Sequence, residues 1–80
     1  MSWFVYIIQA DDDSLYTGIT TDLDRRFAQH LKGSGAKYFN ARTPVKFVYT
    51  EQLSDRSSAS IREATIKKMT RQQKLHLIKR

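Results

Sequence analysis

The stretch Leu15–His30, LYTGITTDLDRRFAQH, decides the fold because a strand pattern in it is followed directly by a helix pattern. Its first part, LYTGIT, predicts a β-strand. The segment WFVYIIQA, residues 3–10, is rich in β-branched and aromatic residues and apolar on both faces, which is typical of a covered strand. Only DDDS, residues 11–14, separates the two. They predict an antiparallel hairpin, with the acidic residues in its turn rather than in a calcium loop.

The second part of the stretch predicts a helix. Thr21 stands three residues before Asp24, a pattern close to the capping box, and predicts that the helix begins there. Gly33 predicts its end. Three apolar residues at intervals of four predict its buried stripe: Leu23, Phe27 and Leu31.

The sequence after Gly33 predicts a loop, a strand and two helices. GSGAKYFNART, residues 33–43, predicts a loop closed by Pro44, and VKFVYTEQL, residues 45–53, predicts a third strand. Helix follows from about residue 58 to the C-terminus, and TRQQ from Thr70 repeats the capping-box pattern, which predicts a break and a restart. Two candidate caps precede the helix and two apolar anchors lie near its end: Asp55 or Ser57, and Leu75 with Ile78. The prediction is a single α+β domain over residues 1–80, a three-stranded antiparallel sheet flanked by helices in the order β-β-α-β-α-α.

Size and composition narrow the classes of function. A chain of 80 residues buries only about 60% of the surface that its unfolded form exposes, so an active site must be built from the core elements themselves. The absence of cysteine excludes disulfides, thiolate zinc sites and cysteine nucleophiles. The longest apolar runs are far short of the roughly 20 residues that cross a membrane, and no leader pattern is present. We therefore expect a cytoplasmic protein with no membrane partner.

The charge favours nucleic acid as the partner. Fourteen Lys and Arg against eight Asp and Glu give a net charge of +6 and an isoelectric point near 9.9. Such an excess is a common footprint of proteins that bind phosphate backbones. The alternative is a basic surface that only keeps the protein in solution.

Four segments in this order resemble the GIY-YIG nuclease family, and in particular its small stand-alone members. The two motifs fall on Phe4-Val5-Tyr6 and Tyr16-Thr17-Gly18, and the helical segments are TDLDRRFAQH and ASIREATIKK. The resemblance runs from Trp3 to Ile78. The motif names have glycine and isoleucine where this chain has Phe4 and Thr17. Leu75 stands where several family nucleases have an asparagine, and Ile19 where an excision-repair member has a lysine.

The resemblance implies a hydrolytic site built from both motifs and the first helix. One of Tyr6 and Tyr16 would be the general base, and they share a face if the strand register has an even residue sum. Arg26 would place its cationic fork on phosphate oxygens. His30, one helical turn further on, would bind a tyrosine hydroxyl or orient the water. Without the resemblance, the tyrosines read as core aromatics and the histidine as a packing or surface residue.

Glu63 is the candidate metal ligand. It shares the inward stripe of its helix with Ala59 and Ile66, where an isolated carboxylate is costly unless it is paired or binds a metal. The resemblance implies a single divalent ion, Mg²⁺ or Mn²⁺, because only one acidic residue is available there. The alternative is a salt bridge with Arg62 or with another arginine.

The remaining candidates are contacts to nucleic acid. Gly18 would relieve crowding between the strand and the helix or leave space for a phosphate. The cations that would contact the backbone, or only solubilise the protein, are Arg25, Lys37, Arg42, Lys67 and Lys68.

Three functions follow from these residues. The first is a metal-dependent DNA endonuclease that is structure-specific or non-specific and works in repair or recombination. The second is a nucleic-acid-binding module with weak or no turnover. The third is an adaptor that serves a protein partner in a repair assembly.

Overall fold

The computed structural model describes residues 2–79 and has the predicted α+β architecture. Its three strands form one antiparallel sheet in which the first strand lies between the second and the third, and a short 3-10 helix, Lys37–Asn40, lies in the predicted loop. No helix within residues 2–79 has the length and apolar character needed to span a bilayer. The elements in chain order are β1 Trp3–Ala10, β2 Leu15–Thr20, α1 Leu23–Leu31, β3 Pro44–Leu53, α2 Arg56–Lys67 and α3 Arg71–Ile78.

The central strand β1 is buried on both faces, as its continuous apolar sequence predicts. Val5 and Ile7 pack on one face against Ile66 of α2 and Leu77 of α3. Tyr6 and its alternate neighbours on the other face pack against α1 and the 3-10 helix. Two layers of helix therefore enclose one thin sheet.

The register brings the two motif tyrosines to the same face. Tyr6 lies opposite Gly18. Tyr16, two residues before Gly18, lies opposite Ile8, two residues after Tyr6. Side chains two residues apart point to the same side of a sheet. The predicted even register is confirmed.

The hairpin turn uses the acidic residues as predicted. The Asp12 carboxylate accepts a hydrogen bond from the Ser14 backbone N–H at 3.1 Å, and Asp13 has a left-handed φ of 67°. Aspartate tolerates that conformation better than most residues.

Helix α1 begins one residue later than predicted. Its cap is Asp22 rather than Thr21, and the Asp22 carboxylate accepts a hydrogen bond from the Arg25 N–H at 3.0 Å. The predicted end is confirmed, because Gly33 has φ 76° and its N–H donates to the carbonyl of His30. The Ser34 N–H donates to the Gln29 carbonyl, which completes a Schellman cap.

The predicted stripe of α1 is wrong at its last residue. Leu31 is 55% exposed, whereas His30 is fully buried. At about 100° per residue, position 30 returns to within about 20° of Leu23, whereas position 31 lies about 80° away. The histidine therefore takes the inward position that the sequence assigned to the leucine.

The C-terminal helices differ from the prediction in where α2 begins and in which leucine anchors α3. Asp55, one of the two candidate caps, accepts from the Ser58 N–H at 2.7 Å, so α2 begins at Arg56. Thr70 forms the predicted capping box with Gln73 and starts α3. Leu75 is 38% exposed and is not an anchor; Leu77 is buried in its place, beside Ile78. The predicted extension of this helix to Arg80 lies outside the described residues.

Candidate active site

The centre of the candidate site is a hydrogen bond between Tyr6 and His30. The Tyr6 hydroxyl lies 2.8 Å from Nε2 of His30, and both side chains are fully buried. Tyr6 comes from the middle of β1 and His30 from the last turn of α1. The register of the hairpin and the rotation of α1 together bring these two groups into contact.

Gly18 makes room for the Tyr6 phenol. A methyl group on Gly18 would overlap the Tyr6 hydroxyl and would lie 2.7 Å from Cζ of the same ring. Gly18 is itself buried, and its missing side chain relieves crowding with Tyr6 of the neighbouring strand rather than with the helix. Its role as a phosphate contact stays a prediction.

Tyr16 links the pair to a cluster of aromatic rings. Its ring centre lies 6.3 Å from that of Tyr6 and 5.3 Å from that of His30, edge to face with the imidazole. Tyr38 and Phe39 of the 3-10 helix contact its other sides at 5.1 and 5.2 Å. Unlike Tyr6, the Tyr16 side chain is only half-buried.

Arg26 is held in place by two protein acceptors. Its Nη1 donates to Oε1 of Gln29 at 3.0 Å, and its Nη2 donates to the carbonyl of Gly35 at 3.1 Å. Its Nε is buried and has no hydrogen-bond partner among residues 2–79. A guanidinium has five N–H donors, so one N–H on Nη1 and one on Nη2 remain for another ligand, beside the buried Nε–H.

The electrostatics keep the central pair neutral. Burial raises the pKa of Tyr6 to about 12; Arg26 acts in the opposite direction, and Tyr16 and Glu63 add smaller increases. Burial, followed by the charge of Arg26, lowers the pKa of His30 to about 4. At neutral pH the site therefore holds an uncharged phenol and an uncharged imidazole beside a permanent cation.

Glu63, the candidate metal ligand, lies on α2. Its side chain is 23% exposed, and its charge acts on the ionisation of Tyr6. Its partner is Lys67, with Nζ 3.3 Å from Oε2, while Arg62 pairs with Glu51 at 2.9 Å instead. The predicted salt bridge to arginine is therefore wrong. A pair of this i,i+4 kind is worth only about 0.3–0.5 kcal/mol, so the carboxylate can exchange partners.

A comparison with known protein families gives a match for this chain. Residues 2–76 match the sequence profile of the GIY-YIG catalytic domain. The chain belongs to the GIY-YIG family. GIY-YIG proteins are typically endonucleases that use divalent metals, and the domain implies nucleic-acid binding.

Small GIY-YIG proteins of similar length resemble the whole chain. The UPF0213 protein SH2523 of Staphylococcus haemolyticus is 51% identical over 75 residues, which cover 94% of this chain and 92% of that protein. The solution structure of the UPF0213 protein BH0048 from Bacillus halodurans shares 39% identity and a TM-score of 0.64. That of EF2693 from E. faecalis shares 38% identity and a TM-score of 0.68. Each of these structures covers 99% of this chain, which in turn covers 84% of theirs.

The donor set of this GIY-YIG site fits one loosely held ion. Within residues 2–79, no group of three or more His, Cys, Asp and Glu side chains could enclose a metal. One half-buried carboxylate, Glu63, acts electrostatically on the phenol of Tyr6. Mg²⁺ accepts such a set, because it keeps several waters and binds substrate oxygens as well as one or two carboxylates.

The candidate DNA contacts divide into free and paired cations. Arg25 and Lys37 are exposed on the side of the sheet that carries Tyr6. Lys68 is exposed at the end of α2, and Lys67 pairs with Glu63. Arg42 pairs with Asp12 at 2.7 Å and lies 4.4 Å above the Tyr38 ring, so its charge is matched.

Two residues that accept hydrogen bonds from Arg26 were missed in the sequence. Gln29 could have been found, because it lies three residues after Arg26 and residues at that spacing meet on a helix surface. Gly35 lies in a loop whose path no periodic pattern predicts, so its contact with Arg26 is visible only in the structure.

Proposed function

We propose that this protein is a metal-dependent endonuclease that hydrolyses DNA phosphodiester bonds. The observation that carries the proposal is the buried hydrogen bond between the Tyr6 phenol and His30, with Arg26 on the same helix as His30. His30 binds the Tyr6 hydroxyl, Arg26 favours its ionised form, and the Glu63 carboxylate acts on it from the opposite helix. An activated water, a cation for phosphate charge and a metal ligand are what phosphodiester hydrolysis needs.

Each residue of the chain has a distinct proposed task. Tyr6, or its neighbour Tyr16, accepts the proton of the attacking water. His30 fixes the Tyr6 hydroxyl, because a neutral imidazole in a buried site makes a directional hydrogen bond. Arg26, restrained by its two protein acceptors, keeps one N–H on each of Nη1 and Nη2 for the oxygens of the phosphate.

The pKa of Tyr6 explains why such a site needs a further cation. With a pKa of about 12, forming the phenolate at pH 7 costs about 7 kcal/mol, since each unit is 1.36 kcal/mol. Arg26 already opposes this cost in part. Glu63 would hold the ion, Mg²⁺ or Mn²⁺. When bound, such an ion supplies positive charge to the phosphate oxygens and the phenol.

The substrate is proposed to be DNA recognised by its backbone and shape. The net charge of +6 favours encounter with a polyanion, and Arg25 and Lys37 are exposed beside the site. Phosphate contacts position a protein without reading sequence. We therefore propose cleavage that is structure-specific or non-specific, and a role in repair or recombination in the cytoplasm.

A second candidate function is a nucleic-acid-binding module or adaptor with little turnover. The observation that favours it is Leu75, a 38% exposed apolar side chain where several family nucleases have an asparagine. A binder of this kind would retain the cationic surface and lose hydrolysis.

The experiment that separates these functions is incubation with a panel of labelled DNA substrates and Mg²⁺. The panel contains duplex, single-stranded, nicked, flapped and branched DNA, each with and without EDTA. The proposal predicts products from at least one substrate and none in EDTA. Salt-dependent binding with no product from any substrate would overturn the proposal in favour of the binding module. Neither binding nor products would leave only the adaptor.

A further inference from the structure

Gly35 contacts two residues of the candidate site at once. It lies between α1 and the 3-10 helix, and neither the motifs nor the family match assigns it a role. Its carbonyl accepts from Nη2 of Arg26 at 3.1 Å. Its Cα faces the imidazole of His30: a methyl group on Gly35 would lie 2.6 Å from Nδ1 and 3.0 Å from Cε1.

The imidazole has no space into which it could retreat from a side chain at position 35. His30 is fully buried, and the rings of Phe39 and Tyr16 lie 4.7 and 5.3 Å from it, centre to centre. Its Nε2 is bound to the Tyr6 hydroxyl. A methyl group on Gly35 would therefore displace either the imidazole or the loop.

Either displacement would disturb the site. If the imidazole moves, the hydrogen bond to Tyr6 lengthens. If the loop moves, its carbonyl leaves Arg26, and the guanidinium loses one of its two protein acceptors. The same glycine thus fixes both groups relative to each other.

The backbone conformation does not explain why position 35 is a glycine. Gly33, two residues earlier, has a left-handed φ of 76° and ends α1, and a methyl group there would have 3.8 Å to its nearest neighbour, in Asn40. Gly35 lies outside the left-handed region. Gly33 therefore allows the left-handed turn that ends α1, whereas Gly35 allows the close contact with His30.

We propose that Gly35 is a positioning residue, which holds Arg26 through its carbonyl and seats His30 against Tyr6 through its lack of a side chain. The contribution to catalysis rests on the proposed nuclease function, whereas the contribution to geometry does not. A misplacement of about 1 Å in a catalytic group can cost about 10²-fold in rate. We expect a loss of that order in Gly35→Ala.

A double-mutant cycle between Gly35→Ala and His30→Ala tests the proposal. Removing the imidazole creates space for the new methyl group, so Gly35→Ala should lower the unfolding midpoint in urea strongly with His30 present and only slightly without it. The double variant should be more stable than the sum of the two single costs predicts. If Gly35→Ala alone does not fold, a double variant about as stable as His30→Ala shows the same coupling. Two costs that simply add would overturn the proposal, because distant, independent sites behave in that way.

Nuclear magnetic resonance provides a readout that a purely structural role would not move. The ¹⁵N shifts of the His30 imidazole report its hydrogen bond to Tyr6 and should change in Gly35→Ala. Gly33→Ala is the matched control, because it strains the backbone of the same loop while its methyl group would meet only Asn40, at 3.8 Å, and not the imidazole. It should leave the imidazole shifts in place. Unchanged His30 shifts in Gly35→Ala would overturn the proposal.

Cleavage is measured separately, so that the two proposals can fail independently. A changed His30 signal in a protein whose wild type cleaves no DNA would retain the positioning role and reject the nuclease. A wild type that cleaves, with an additive cycle and an unmoved His30 signal, would retain the nuclease and reject the role of Gly35.

Discussion

The Tyr6–His30 pair combines two groups that are each held in the neutral form. Burial disfavours the phenolate of Tyr6 and the imidazolium of His30 alike, and the nearby Arg26 further disfavours the imidazolium. The hydrogen bond at 2.8 Å satisfies one polar atom on each side chain. Nδ1 of His30 has no partner within residues 2–79, so the pair depends on this single bond.

The burial of His30 predicts that the protein loses stability in mild acid. Its pKa of about 4 in the folded state lies below the ordinary value of 6.5 in the unfolded chain. The unfolded state therefore binds more protons between these values, and the free energy of unfolding rises with pH. The free energy of unfolding has its full value above about pH 6.5. It falls as the pH decreases towards about 4, by about 2 kcal/mol between pH 8 and pH 5. Urea unfolding at several pH values measures this change in the free energy of unfolding.

Two variants identify the group that causes this dependence. His30→Gln should remove most of the slope between pH 6.5 and pH 5, above the range in which most carboxylates titrate. His76→Gln should retain it, because His76 is exposed on α3. A wild type with constant stability over this interval would contradict the neutral, buried state of His30.

Helix α1 carries Arg26 and His30, so the point at which it begins fixes where both side chains lie. The Asp22 carboxylate caps it, while the Asp22 N–H donates to Thr20 Oγ1 at 3.1 Å at the end of β2. The junction between β2 and α1 therefore has a defined geometry. A helix phased one residue differently would turn His30 about 100° away from Tyr6.

The cap predicts a difference between two neighbouring residues. Asp22→Ala should lower the free energy of unfolding by about 1 kcal/mol, because the Arg25 N–H loses its acceptor. Thr21→Ala should cost less than about 0.5 kcal/mol, as is usual for substitutions without such a role. Urea unfolding of both variants measures this. Equal costs would contradict the assignment of the cap to Asp22.

The elements were largely predictable because their signals are local. The apolar run of β1, the turn residues and Gly33 each act on their own neighbours, and the strand and helix order followed from them. The inward residues at helix ends were not predictable in this way. Leu31 and Leu75 are apolar, but the rotation of a short helix against the sheet left them exposed and buried His30 and Leu77.

The site is a property of the whole molecule, because its groups come from β1, β2, α1 and α2. The motifs named Tyr6, Tyr16 and His30, which lie together in the structure, and their catalytic roles stay predictions. Their contacts could not be predicted, since those depend on side chains distant in sequence. Asp12 pairs with Arg42, 30 residues later, and the Tyr6 hydroxyl bonds to His30, 24 residues later. Long-range contacts of this kind leave no periodic trace in the chain.

The measurement that tests the central claim most directly compares the two glutamates of the chain. Glu63→Gln keeps the size of the side chain and removes its charge. Glu51→Gln makes the same change on the sheet face opposite Tyr6, where Glu51 lies across from Val5 and accepts from Tyr49 and Arg62. The rate of Mg²⁺-dependent DNA cleavage should fall by about 10²–10³-fold in Glu63→Gln, a loss of several kcal/mol of charge stabilisation. It should stay near the wild-type rate in Glu51→Gln. Equal rates in the two variants would contradict the claim that Tyr6, Arg26, His30 and Glu63 form one hydrolytic centre.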